Sequence, residues 1–240
     1  MKIRVSMYSD IGGRVENEDS ADYREFDGGL VAVVADGLGG QGDGKAASQL
    51  ICDRLVQRGA ELGFPDKETL TQLFVQANHE LISRQKNSFH MKTTAVYLCI
   101  ADDRAVWAHI GDSRLYHLWN GKLCDYTLDH SAAQLAVYMG KITRDQIPTD
   151  SGQSRLLRAL GVEEEHPDIH EPIRLESGQH VFLLCSDGLW EYLSDGEIER
   201  AYSITNTPEE FLDCMRYVKN SRSPENCDNH TAVAVFVETA

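Results

Sequence analysis

Paired cysteines are missing from this 240-residue chain. Its six cysteines, at positions 52, 99, 124, 185, 214 and 227, form no C-x-x-C pair, and several lie inside apolar runs. Reduced core thiols are therefore expected, and neither a disulfide framework nor a thiolate zinc site is. Cys52 and Arg58 have the spacing of a thiolate and its anion-binding arginine. Ala46, Ala47, Leu50, Ile51 and Leu55 nevertheless put Cys52 on a helix, and the glycines of an anion-cradling loop are absent around it. Positive charge is scarce: 23 Lys and Arg against 38 Asp and Glu give a net charge of −15. That balance argues against nucleic acid or an anionic membrane as a standing partner. No apolar run reaches membrane-spanning length, and Met1-Lys-Ile-Arg leads into a strand-like pattern instead of a signal-peptide core, so a soluble, cytoplasmic protein is expected. No repeat, linker or low-complexity tract interrupts the chain, and one domain over residues 1–240 is expected.

What is present is a pattern used three times. The run Val31-Ala-Val-Val-Ala ends at Asp36-Gly37-Leu38-Gly39-Gly40, with Gln41-Gly42-Asp43-Gly44 beyond. A run without alternation suits a strand covered on both faces, and glycines after it suit a close backbone approach. The same ending recurs at Gly111-Asp112-Ser113 and at Ser186-Asp187-Gly188. A single such Asp is an ordinary helix cap, but three strand ends laid side by side would bring their carboxylates together. Two unit charges ~4 Å apart at an effective dielectric of ~20 repel by roughly 4 kcal/mol, so a cation belongs between them. Oxygen ligands flanked by glycine, with no Cys or His at ligand spacing, favour Mg²⁺ or Mn²⁺ over zinc.

Along the chain, Ile3 to Ser9 alternates like a half-buried strand, and Asp10 to Asp19 is a charged loop. Apolar stripes at helical spacing follow (Ala47, Leu50, Ile51, Leu55, then Leu70, Leu73, Phe74, Ala77, Leu81), and Pro65-Asp66 suits the start of the second helix. Strands are expected at 93–101, 104–111 and 114–119, with a hairpin at Asn120-Gly121, joined most simply as an antiparallel meander. The polar stretch between Asp129 and Gly161 reads as a flap-like excursion over the site, about 131–156. Strands resume at 169–175 and 181–185, helices at 194–202 and 207–219, and a last strand at 231–237. Cys227-Asp228-Asn229 supplies one more acid beside that strand.

Taken together, eight segments resemble the metal-dependent PP2C-like (PPM) serine/threonine phosphatases, most closely their compact bacterial members. They are Gly13-Arg14-x-x-Asn17-Glu18-Asp19, Ala35-Asp36-Gly37-Leu38-Gly39-Gly40, Lys92-Thr93-Thr94-Ala95, Gly111-Asp112-Ser113-Arg114-x-Tyr116, Leu128-Asp129-His130-Ser131, Arg158-Ala159-Leu160-Gly161, Ser186-Asp187-Gly188-Leu189 and Asp228-Asn229-x-Thr231. The resemblance implies an α+β fold, a four-layer α-β-β-α sandwich with two central antiparallel sheets flanked by helices. It implies that Asp36 bridges two metal ions, that Glu18 and the Gly37 carbonyl serve one, and that Asp187 and Asp228 serve the other. Asp19 would hold a metal-bound water, Arg14 the substrate phosphate, and Asp112 and Glu191, with Asp187 shared, a weaker third ion. The implied cofactor is Mn²⁺ or Mg²⁺, and the implied reaction is hydrolysis of phosphoserine or phosphothreonine by a metal-bridging water, with no phosphoenzyme. Phosphoproteins would be its substrates, a serine/threonine kinase its opponent, and a monomer its form.

Two positions and one segment depart from the family. Leu38 stands where eukaryotic relatives carry His, which leaves the proton for the leaving alkoxide to come from a water on the third metal. Lys92 stands where glycine is usual; either the turn tolerates a side chain, or the ammonium adds positive charge near the site. Residues 148–155 lack the His-Pro of many bacterial relatives. The alternatives are a phosphatase-like regulatory module that has lost catalysis and a two-metal nuclease. The first should have lost a carboxylate, and the second needs a polyanionic substrate that suits a charge of −15 poorly.

Overall fold

The computed structural model describes residues 1–39, 43–85 and 91–240; the predicted turn glycines Gly40 and Gly42 lie outside them. Twelve strands and six α-helices follow in order: β1 (Lys2–Asp10), β2 (Asp19–Phe26), β3 (Gly29–Leu38), α1 (Asp43–Leu62), α2 (Lys67–Arg84), β4 (Lys92–Thr93), β5 (Ala95–Ala101), β6 (Arg104–Ile110), β7 (Arg114–Trp119), β8 (Lys122–Tyr126), α3 (Ala132–Tyr138), β9 (Asp168–Ile169), β10 (Ile173–Arg174), β11 (Gly178–Cys185), α4 (Asp187–Trp190), α5 (Asp195–Ser203), α6 (Pro208–Asn220) and β12 (His230–Thr239). A short 3-10 helix spans Arg144–Thr149.

The strands form two antiparallel sheets. One has five strands in the order β1-β12-β11-β7-β8; the other has the path β10-β6-β5-β3-β2, with β4 added to β3 and β9 to β6. The expected meander is thereby corrected. β5 and β6 pair in one sheet and β7 and β8 in the other, so the chain changes sheets at Gly111-Asp112-Ser113. Gly111 makes that crossing with φ 97°, a conformation that a side chain would strain. The predicted strand over 169–175 is also shorter than expected, reduced to two two-residue pieces. Pro172 between them has no N–H to donate to a ladder.

Alternation along β3 explains its unbroken apolar run. Val31, Val33 and Ala35 pack with Leu50, Ile51, Leu55 and Phe74 of α1 and α2. Leu30, Ala32 and Val34 face the other sheet, against Phe182, Leu184, Val233 and Val235. A third cluster joins the far side of β7, β11 and β12 to α4, α5 and α6. The result is four layers, α-β-β-α, in which nearly every residue of β3, β5, β11 and β12 is buried on both faces. The helix start read at Pro65-Asp66 is present, with Asp66 accepting from the Thr69 N–H at 2.8 Å; Thr207 likewise caps α6 ahead of Pro208, a signal the sequence reading did not single out. Residues 131–156 leave the five-stranded sheet after β8 and fold back on themselves, closed by a bridge between Ser131 and Leu156, before the chain passes to β9 of the other sheet. Among the described residues no helix is long and apolar enough to cross a membrane.

Candidate metal and phosphate site

Alternation that sends Val34 between the sheets sends Asp36 there too, and sends Gly37 toward α1. A Cβ on Gly37 would collide with the backbone of Gly44 and with the Glu18 carbonyl. Glycine at this point therefore lets the start of α1 and the end of β3 touch. Asp36 is fixed by Thr93 and Thr94: its N–H donates to Thr94 Oγ1 at 2.9 Å, and its carbonyl accepts from Thr94 N at 2.8 Å and Thr93 Oγ1 at 2.8 Å. Thr94 Oγ1 also meets Ser113 Oγ at 2.7 Å, tying this strand end to the Asp112 turn. The two threonines thus register two of the three Asp-bearing ends.

Asp19 sits directly opposite Asp36 on β2. Its Oδ2 accepts from Ser186 Oγ at 2.7 Å, and Ser186 Oγ accepts from Thr231 N at 3.0 Å. Asn229 staples the loop before β2: its Nδ2 donates to the carbonyls of Ile11 (2.8 Å) and Glu16 (3.0 Å), and its Oδ1 accepts from Glu18 N at 2.9 Å. Arg14 Nη2 meets Asp228 Oδ2 at 2.7 Å. Asp112 is buried; its carbonyl accepts from Trp190 Nε1 at 2.9 Å, while the Arg114 guanidinium lies 3.4 Å over the Trp190 ring and grips Asp129 with two bonds of 2.7 Å.

A cleft of about 570 Å³ at this edge of the sandwich is lined by Arg14, Glu18, Asp36, Gly37, Asp112, Asp187 and Asp228. It therefore unites seven of the nine positions singled out from sequence. Asp19 lies behind the wall, and Glu191 opens on the neighbouring groove with Arg144 and Tyr192. The three acids do converge, but across two sheets, since β3 and β6 belong to one and β11 to the other. Sequence reading missed Ser154 and Leu156, which close the cleft from the excursion, and Gln153, whose amide donates to Glu191. Only the polar string 149–154 hinted that this segment reaches the site.

Crowding of acids sets the electrostatics. Burial, then the charges of Asp19, Asp187, Asp112 and Asp228, push Asp36 well above the usual carboxylate range. Burial raises Asp19 to about 7 even with Ser186 donating to it. Burial and Asp228 raise Asp187 to about 6, and burial and Asp187 raise Glu191 to about 8. Asp112 is held well above its ordinary value by burial and Asp187. Among the described residues no three acidic, His or Cys side chains converge tightly enough to ligate one ion as they stand. The fit for a cation rests on three buried carboxylate oxygens without a hydrogen-bond partner among the described residues: Glu18 Oε1, Asp19 Oδ1 and Asp187 Oδ1. A buried anionic oxygen lacking a donor is expensive, and an all-oxygen donor set suits a hard divalent ion.

Comparison with known proteins adds an independent line. Residues 8–226 match the family described as protein phosphatase 2C. The chain is 31% identical over 229 residues to the serine/threonine protein phosphatase PstP of Mycobacterium tuberculosis, covering 93% of this chain and 43% of that protein. It is 31% identical to the serine/threonine phosphatase stp of Listeria monocytogenes, covering 94% of this chain and 88% of the other. The chain thus spans less than half the length of the mycobacterial relative and most of the Listeria one. Among solved structures, the catalytic domain of PstP with two manganese ions superimposes with a TM-score of 0.82 at 28% identity, covering 99% of each chain.

Proposed function

The chain belongs to the protein phosphatase 2C family, and from that membership we propose that it is a divalent-metal-dependent phosphatase acting on phosphoserine and phosphothreonine in proteins. The observation that carries the proposal is the union, in one cleft, of unpartnered buried carboxylate oxygens with an exposed arginine. Asp36, Glu18 and the Gly37 carbonyl on one side, and Asp187 and Asp228 on the other, are the residues to hold two Mn²⁺ or Mg²⁺ ions. Asp112 and Glu191, with Asp187 shared, are those to hold a third. Bound there, such ions acidify water at neutral pH and reverse the sign of a site that would otherwise repel a phosphate dianion.

The chain's own groups do the rest. Arg14 uses an N–H of Nη2 on Asp228, and the rest of its planar fork is free to grip two phosphate oxygens and orient the ester. Asp19, anchored by Ser186 through one oxygen, keeps Oδ1 for an ordered water. Leu38 lines the cleft where a proton-donating side chain would otherwise stand, so the departing alkoxide takes its proton from solvent held near Asp112. The domain spans residues 1–240, with 131–156 as a flap, and works as a cytoplasmic monomer opposed by a serine/threonine kinase. Retention of every acidic position weighs against an inactive regulatory module. A phosphothreonine peptide should release phosphate with Mn²⁺ or Mg²⁺ and none in chelator. Release that ignores chelator, or none with either ion, would overturn the proposal.

A further inference from the structure

We propose that Lys92 is a specificity-determining residue that selects phosphoproteins carrying a carboxylate beside the phosphorylated residue; the proposal rests on the phosphatase reading above. Two independent alternations put Lys92 on the cleft side. On β3, Asp36 and Leu38 share the face of Val34, and Leu38 lines the cleft. β4 pairs with that end of β3 in the register Gly37↔Thr93 and Leu38↔Lys92. Directly opposed residues of an antiparallel pair share a face, with Cβ atoms about 5 Å apart, so Lys92 stands beside Leu38. On its own strand the parity agrees. Ala95 and Tyr97 face the helices, whereas Val96 faces the other sheet, and Lys92 and Thr94 fall in step with Val96. Thr94 of that set touches both Asp36 and Ser113.

Leu38 is two residues past Asp36, about 7 Å along the strand. Lys92, half-buried, stands on the strand next to it. An extended lysine rooted there would bring its ammonium to a residue adjacent to the phosphorylated one, outside the carboxylate cluster. The charged residues that line the cleft are acidic apart from Arg14, which is on Asp228, and Glu16 in the wall is 3.9 Å from Lys45. A chain of charge −15 otherwise disfavours acidic sequences, so a local cation at this point acts against the overall field.

The test compares kcat/KM for paired phosphothreonine peptides with Mn²⁺, one carrying Glu and one Gln at each position from two before to two after the phosphothreonine. Taking the Glu-to-Gln ratio within each enzyme cancels the overall field and any loss of basal rate. At one or two positions the wild-type ratio should exceed that of Lys92→Ala by about three- to five-fold at low salt, the range of a partly exposed ion pair. Lys92→Glu should drop it further, Lys92→Arg should restore it, and the differences should shrink as salt rises. Ratios within two-fold of wild type at every position in both Lys92→Ala and Lys92→Glu would overturn the assignment alone. A wild type that hydrolyses none of the peptides would overturn the phosphatase reading with it.

Discussion

Replacing Asp36 by Asn separates what the acidic cluster does for folding from what it does for chemistry. In metal-free protein the unfolded chain releases the Asp36 proton near ~3.9. The folded chain holds it to higher pH, because burial and Asp19, Asp187, Asp112 and Asp228 disfavour the charge. A raised acid value means that stability is intact below the unfolded value and is lost as pH climbs toward the folded one, at up to about 1.4 kcal/mol per pH unit. Asparagine has no proton to lose. In chelator, Asp36→Asn should therefore match wild type near pH 4 and be ahead by pH 6. Allowing half the limiting slope for relaxation and water, the lead is about 1.5 kcal/mol, or roughly 3–6 °C in Tm for a domain of this size. Saturating Mn²⁺ should reverse the order, since wild type gains the ions and the variant loses a ligand to both. Turnover of a phosphothreonine peptide should fall more than tenfold, over ~1.4 kcal/mol of transition-state stabilisation. A variant no more stable than wild type in chelator at pH 6 would refute the electrostatic reasoning, and one that keeps more than about a tenth of the rate would refute the bridging role.

Arg14→Ala should raise KM for phosphopeptides by about tenfold or more, and Arg14→Lys should recover only part of it, because a point charge lacks the two-pronged geometry; equal kinetics for Lys and Arg would reduce the residue to its charge. Asp112→Ala should cut turnover sharply on phosphopeptides, whose alkoxide must be protonated, and much less on p-nitrophenyl phosphate, whose phenolate leaves unaided. Equal losses on both substrates would assign Asp112 to assembly of the site as a whole.

Legibility in the sequence followed burial. β3, β11 and β12 are covered on both faces, so their runs were plain and their acid-bearing ends were found. β2 was not anticipated. Only Asp19 of its eight residues is fully buried, and Ala21 and Tyr23 are too sparse an apolar set to mark a strand amid Asp22, Arg24 and Glu25. Assignment of strands to sheets was hidden for a different reason. A hairpin and a crossing between sheets both need a glycine turn, and what distinguishes Gly111-Asp112-Ser113 is tertiary: Thr94 and Trp190 hold it from two other elements. Contacts such as Gln153 with Glu191 join residues 38 apart through a segment with no periodicity.

The order β1-β12-β11-β7-β8 gives β1 one neighbour in its sheet, and that neighbour is the last strand described. Arg14 and Glu18 are likewise held by Asp228 and Asn229, more than 200 residues downstream. At about 5–20 residues per second, a ribosome takes roughly ten to fifty seconds to reach that point after making the first strand. Throughout that interval the arginine and the first acids exist without their partners. On the function proposed above, synthesis is its own safety catch: a growing chain would be unable to strip phosphate from the proteins around it until the segment that carries Asp228 and Asn229 beside the site has been made.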